Sequence, residues 1–344
     1  MTESQEPLRA AVVGLGWMGA NHARVYAELP STSLVAVCDI DRDGAEAVGM
    51  KFACNAYTDL AEMLTREAPD IVSVAVPTDL HHRVGTMAIH HGANVLIEKP
   101  IAATVADGNQ LIQLASERGV RLGVGHVERF NPVIGAMKSA IEAGVLGRIF
   151  QITIRRIGPK PDRDRGVGVF LDLATHDIDL VRHLSSSEID SFASEALSVL
   201  GTPHEDLGIG LLRMRNRVLA VIVENWVSPT KVREVAVTGQ NGMLVADTIT
   251  QDLFQYENDY RATDWPAMRN LRGMSEGRMI RHRLQKGEPL RLELEAFARS
   301  VIEGVPFPVT GNDGLRALEL ALRLRTASQA DKIVGESDEV SSPC

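Results

Sequence analysis

Short runs of uninterrupted apolar residues recur along the N-terminal part of the chain, separated by segments of helical periodicity. Residues 9–14 (with Ala10, Ala11, Val12 and Val13), 34–40, 71–76, 94–97 and 121–127 read as strands. Runs without apolar/polar alternation suit a parallel sheet covered on both faces. Residues 18–29, 42–51, the stretch through His81 and His82 to His91, and 104–118 read as helices, with Pro30, Gly92 and Gly119 as stops. This alternation predicts a doubly wound α/β layer.

Beyond about residue 130 the pattern changes. Phe150, Ile152 and Ile154 alternate with Gln151, Thr153 and Arg155 within 149–157. Residues 218–226 and 232–237 also read as strands, and Asn241-Gly242 between two apolar runs is a hairpin signal. Such strands predict an antiparallel sheet with one face under helices and the other exposed or covered by a second copy. Residues 261–288 give little periodicity, 293–302 and 314–333 read as helices, and 335–344 as a frayed tail.

Composition narrows the function. At 344 residues the chain is too long for one ordinary core. A net charge of -9 argues against a general nucleic-acid binder. No apolar run approaches the roughly 20 residues of a membrane span. Residues 1–9 are polar and carry no hydrophobic signal segment, and Cys38, Cys54 and Cys344 form no paired motif. A protein of the reducing cytoplasm, without disulfides or a zinc knuckle, is expected.

The candidate chemistry lies in three stretches. Gly14-Leu15-Gly16-Trp17-Met18-Gly19 follows an apolar strand and opens a helix. Gly14 permits a tight turn, Gly16 lets backbone approach a pyrophosphate, and Gly19 lets the helix pack on the strand. The anion then sits at the helix N-terminus. Asp39, about 25 residues beyond Gly14 at the end of the second strand, is placed to accept from ribose hydroxyls and to repel a 2′-phosphate. That favours NAD, although Arg42 leaves NADP open. Val76-Pro77-Thr78 belongs at the same sheet edge.

Lys99, in Glu98-Lys99-Pro100, follows the next strand and can stabilise a developing alkoxide. Asp172, His176, Asp179 and His183 fall at helical spacing on one face. His176 suits a base near neutral pH. A metal site and a solvated polar face remain as other readings of this helix. Arg155, Arg156, Lys160, Arg163 and Arg165 form a basic cluster fit for a diphosphate or carboxylate, or else a solvated loop balanced by Asp162 and Asp164.

These stretches, in this order, resemble the glucose-fructose oxidoreductase, inositol dehydrogenase and rhizopine catabolism (Gfo/Idh/MocA) family. The matching residues are the glycine loop, Val76-Pro77-Thr78 with His81, Glu98-Lys99-Pro100, and Asp172 with His176. The resemblance spans essentially the whole chain. It implies a Rossmann domain over 1–128 and, over 129–344, an α/β substrate and oligomerisation domain built on a large, mostly antiparallel open sheet. It makes Lys99, Asp172 and His176 the expected catalytic set. The expected cofactor contacts are Gly14, Gly16, Trp17, Met18, Gly19, Asp39, Arg42, Pro77, Thr78, His81, Glu98 and Lys99.

Two segments, 124–132 around Gly125-His126-Val127-Glu128-Arg129 and 156–169 from Arg156 to Val169, resemble the UDP-N-acetylglucosamine 3-dehydrogenase branch. That resemblance implies NAD-dependent oxidation of a sugar-nucleotide hydroxyl, with Lys99, Asp172 and His176 facing the substrate; Asn21 and His22, which follow the glycine loop, and Arg156 and Arg165 of the basic cluster are the further residues expected to face it. A homodimer or homotetramer acting on a small sugar or sugar nucleotide is expected, with no resident metal, nucleic acid or membrane partner. The alternatives are an inositol or free-sugar dehydrogenase, a 3-keto-sugar reductase, a non-catalytic NAD-binding regulator, and a metal-dependent enzyme.

Overall fold

The computed structural model describes residues 6–161, 166–259 and 275–329. The first layer alternates strands and helices: β1 (Leu8–Val13), α1 (Trp17–Glu28), β2 (Thr32–Cys38), α2 (Arg42–Phe52), β3 (Asn55–Tyr57), α3 (Leu60–Glu67), β4 (Ile71–Val74), α4 (His81–His90), β5 (Asn94–Glu98), α5 (Val105–Arg118) and β6 (Leu122–Gly125). The six strands run parallel in the order β3-β2-β1-β4-β5-β6. Strand order reverses between β1 and β4, so a crevice opens there at the carboxyl ends of the strands. Every residue of β4 is buried, as helices on both faces require. The short β3 and α3 have no counterpart among the expected elements. β3 is a three-residue edge strand without an apolar run, and α3 is only eight residues, about two turns.

The second layer follows α6 (Pro132–Glu142). It comprises β7 (Ile149–Pro159), α7 (Thr175–Ser185), β8 (Ile189–Leu197), β9 (Leu207–Met214), β10 (Leu219–Asn225), β11 (Val227–Gly239), β12 (Gly242–Asp247), β13 (Asp252–Asp259) and β14 (Ser275–His282), then α8 (Pro289–Glu303) and α9 (Gly311–Ser328). Its eight strands order as β14-β13-β12-β11-β7-β10-β9-β8, with β7 and β10 parallel and the other neighbours antiparallel. One face carries the core, including Ile152, Ile154, Ile222 and Val237, against α7 and α9. The other leaves Ile209, Leu211 and Leu219 exposed.

Two expectations are corrected. The β11–β12 turn is Gln240-Asn241, because Gly239 pairs with Gly242. Gly242 is a strand residue where a Cβ would sit 2.1 Å from the Tyr256 carbonyl oxygen, so glycine is required by close approach and not by the turn. The helix expected from Asp172 onward is also not uniform. Residues Phe170–Ala174 form a π-helical turn and α-helical geometry begins at Thr175, so Asp172 and His176 sit on different kinds of turn.

The two cores do not divide at a single point of the chain. Leu290, Leu294 and Phe297 of α8, with Phe307 and Val309, join the first core beside Val95, Leu96 and Ile97. No helix among the described residues is long and apolar enough to cross a membrane.

Candidate active site

The glycine turn lies at the switch point. Gly14 has φ +85°, and a Cβ there would stand 2.7 Å from the Ala75 carbonyl after β4. At Gly19 a Cβ would meet the Gly14 oxygen at 1.7 Å. The turn is therefore pressed between α1 and the β4 edge, with no room for side chains. Gly16 caps α1 without a side-chain hydrogen bond, which leaves the helix N-terminus available to an anion. Asp39 braces the same turn: its Oδ2 accepts from Leu15 N–H at 2.6 Å, and its Oδ1 accepts from Asp41 N–H at 3.0 Å. These features fit a dinucleotide. Met18 packs against the first core, whereas Trp17 is 71% exposed. Arg42 lies 3.7 Å from Glu46 on the exposed side of α2. Pro77 precedes a single 3₁₀ turn, Thr78–Leu80.

Gly19→Ala is expected to weaken NAD(H) binding about 100-fold, or roughly 2.8 kcal/mol, because the added methyl must displace the turn. Fluorescence titration with NADH measures it; an affinity within threefold of the parent would show that the turn does not carry the pyrophosphate.

Lys99 and Asp172 are brought together from residues far apart in sequence. Lys99 Nζ donates to the Asp172 carbonyl at 2.7 Å and to its Oδ1 at 3.0 Å, and both side chains are largely buried. The π-helical turn aims both acceptors of Asp172 at one cation. His176 lies just beyond, at the start of α7, and its ring meets the edge of His126 with centroids 6.0 Å apart. His126 was not anticipated as a site residue. It is 1% exposed, and neither ring nitrogen has a hydrogen-bond partner among the described residues. Burial, with Arg129 and Lys99 adding to it against the Asp179 charge, lowers its pKa and favours neutral imidazole.

Other expected contacts sit elsewhere. His22 is fully buried, with Nδ1 against Ser73 Oγ at 3.0 Å and Nε2 against Glu98 Oε1 at 2.9 Å. Glu98 is thus an internal partner of His22. Burial opposes its charge, yet the His22 hydrogen bond and nearby Lys99 outweigh this and hold its pKa below the usual carboxylate range. His81 is a buried brace, with Nδ1 2.8 Å from the Pro100 carbonyl and Nε2 2.9 Å from that of Val76. It therefore ties the loop after β4 to the Lys99-Pro100 corner. Asn21 donates to the Trp17 carbonyl at 2.7 Å.

The basic cluster is not a single surface. Arg156 points inward, with Nε 2.7 Å from Asp177 Oδ1 and Nη1 2.8 Å from Glu128 Oε1. Its guanidinium thus balances buried carboxylates, where the cluster reading expects it to face a diphosphate or carboxylate. Arg155 is 3.7 Å from Glu234 and Lys160 is exposed. Arg163 and Arg165 lie outside the described residues. Beneath Arg156, Glu224 is buried against Asp177, and burial followed by that neighbouring charge raises its pKa well above the usual carboxylate range.

A glycine turn opening a helix at the switch point, with a lysine and carboxylate at the same sheet edge, defines a dinucleotide-dependent oxidoreductase. Residues 8–126 match the oxidoreductase family with NAD-binding Rossmann fold, and residues 134–245 match the GFO/IDH/MocA C-terminal domain. The chain belongs to the Gfo/Idh/MocA oxidoreductase family, whose curated relatives include sugar and polyol dehydrogenases. It is 28% identical to UDP-N-acetylglucosamine 3-dehydrogenase of Acidithiobacillus ferrooxidans, over 94% of this chain and 98% of that protein. It is 26% identical to myo-inositol 2-dehydrogenase of Thermotoga maritima, over 95% and 98% respectively. A crystal form of the Acidithiobacillus enzyme superposes with TM-score 0.82 at 26% identity, covering 94% of this chain and 98% of that one.

Proposed function

We propose that the protein oxidises a secondary hydroxyl of a sugar nucleotide, at C3 of a UDP-N-acetylglucosamine-type sugar, with NAD as acceptor. The observation that carries this reading is the end-to-end similarity to the Acidithiobacillus enzyme, combined with the Lys99–Asp172 pair at the sheet edge. Asp39 at the end of β2 supports NAD, since a carboxylate there disfavours a 2′-phosphate. The similarity to myo-inositol 2-dehydrogenase, of comparable extent, supports a second reading in which a free polyol is the substrate.

His176 takes the hydroxyl proton. Lys99 donates to the substrate oxygen as charge develops on it, and Asp172 holds the ammonium in place from two acceptors. A dinucleotide held by its pyrophosphate at the glycine turn would supply the hydride acceptor. His176→Ala is expected to lower kcat about 100-fold at neutral pH and to recover part of the loss as pH rises, because solvent hydroxide then substitutes for the base. A flat pH profile with full turnover would remove His176 from proton transfer.

The deciding assay is NAD reduction with UDP-GlcNAc, its uronic acid, myo-inositol and glucose, with a carbonyl trap to drive the oxidation. Turnover confined to the UDP-sugars supports the first reading. Turnover confined to myo-inositol or glucose replaces it with the second.

A further inference from the structure

Beneath Lys99, three buried titratable side chains converge from separate elements: His22 of α1, Glu98 of β5 and Glu293 of α8. One nitrogen or oxygen atom of each lies within 4.8 Å of the others. Glu293 is fully buried, and neither of its carboxyl oxygens has a hydrogen-bond partner among the described residues.

The rest of the cluster is saturated in one direction. Glu98 Oε1 accepts, so His22 Nε2 carries the proton of the 2.9 Å contact. Nδ1 lies 3.0 Å from Ser73 Oγ, and Ser73 Oγ lies 3.0 Å from the Tyr26 hydroxyl, so both ring nitrogens have a hydrogen-bond partner. The chain Tyr26–Ser73–His22–Glu98 is thus complete without Glu293. What remains is an acceptor-rich Glu98 facing an unpartnered Glu293. An ionised Glu293 would put a second carboxylate in an apolar interior, beside Leu294 and Phe297, with no donor.

We propose that Glu293 is a positioning residue that carries a proton at neutral pH and directs it toward Glu98, fixing the Glu98-Lys99-Pro100 corner and with it the ammonium of Lys99. The groups facing Glu293 agree with this assignment. Burial, then the charges of Glu98 and Asp179, push its pKa well above the usual carboxylate range, while Glu98 stays ionised beside His22 and Lys99. The same donors also form a set compact enough for a divalent cation. Ligands of a tetrahedral zinc site stand about 3.3 Å apart, however, and the 2.9 Å His22–Glu98 contact is a proton-sharing distance.

The test has two arms. The infrared arm is independent of any reaction. In D₂O at neutral pH, wild-type protein should show, beside the contribution of Glu224, the carbonyl stretch of a second buried protonated carboxyl group, and Glu293→Gln should lose that band while Glu224→Gln keeps it. The kinetic arm rests on the dehydrogenase reading. Glu293→Leu should lower kcat about 30-fold with KM for NAD within threefold, and Glu293→Gln, which keeps a neutral donor and acceptor, should recover at least tenfold of that loss. Retention of the band in Glu293→Gln would overturn the proposal, as would equal damage from Gln and Leu. One equivalent of a divalent metal in the wild-type protein, lost in Glu293→Gln, would replace the proton with a cation site. If the infrared arm succeeds and no substrate turns over in the wild-type protein, the functional reading fails while the buried acid stands.

Discussion

Lys99→Ala should lower kcat about 1,000-fold with the preferred substrate, while NADH affinity changes less than about threefold. The wild-type ammonium is held by two contacts to Asp172 and is almost shielded from water. A donor fixed in that environment stabilises developing negative charge without reorganising, which is why its loss falls on kcat rather than on ground-state binding. Truncation also removes one positive charge from beside the buried Asp172 carboxylate, which makes the site more negative where negative charge develops. The glycine turn and Asp39 are untouched, so the dinucleotide should still bind. Initial-rate kinetics and NADH titration on the same preparation separate the two effects. A kcat within tenfold of wild type would exclude Lys99 as the oxyanion donor.

Arg156→Ala should destabilise the fold by about 3–5 kcal/mol, read as a lowered urea midpoint. The guanidinium sits between Asp177 and Glu128, and their charges outweigh burial to raise its pKa. Burial already raises the Asp177 pKa above the usual range in spite of this partner. Without Arg156 that folded-state pKa rises further above the unfolded value. A group so shifted favours folding at pH below its unfolded pKa and loses the benefit as pH climbs through its folded pKa. The damage should therefore be larger at pH 8 than at pH 5. A pH-independent loss would point to packing alone, and no loss would contradict the internal ion pairs.

Arg156 also shows where sequence reading fails and where a signal was present. Its basic neighbours suggest a surface cluster. Yet β7 alternates, and Ile152, Ile154 and Arg156 all occupy its buried face at a spacing of two. Glu293 carries a comparable signal, falling between Leu290, Leu294 and Phe297 on the apolar stripe of α8. A charged residue on a buried stripe is a site candidate that motif spacing does not reveal. The glycine turn was legible because its constraints are local, imposed by neighbours within one strand–turn–helix unit. The Lys99–Asp172 contact was legible as two fragments only. Their meeting depends on the π-helical turn, whose extra residue leaves no mark in hydrophobic periodicity. The His22–Glu98–Glu293 convergence joins three elements through tertiary packing alone, and no single window of sequence contains it.

The return of α8 to the first core bears on how the protein is made. Leu290, Leu294 and Phe297 are synthesised long after the core they join, as are Phe307 and Val309, which meet β6. At about 5–20 residues per second, β5 and β6 wait on the order of ten seconds or more on the ribosome before that part of their cover exists. During that interval Leu96 and Ile97 lack part of their native packing, and the nascent layer presents apolar surface to chaperones and to other chains. A fragment ending at residue 128 reproduces this unfinished state permanently. It should aggregate, whereas the same fragment supplied with a peptide spanning residues 289–309 should gain solubility and protection from proteolysis.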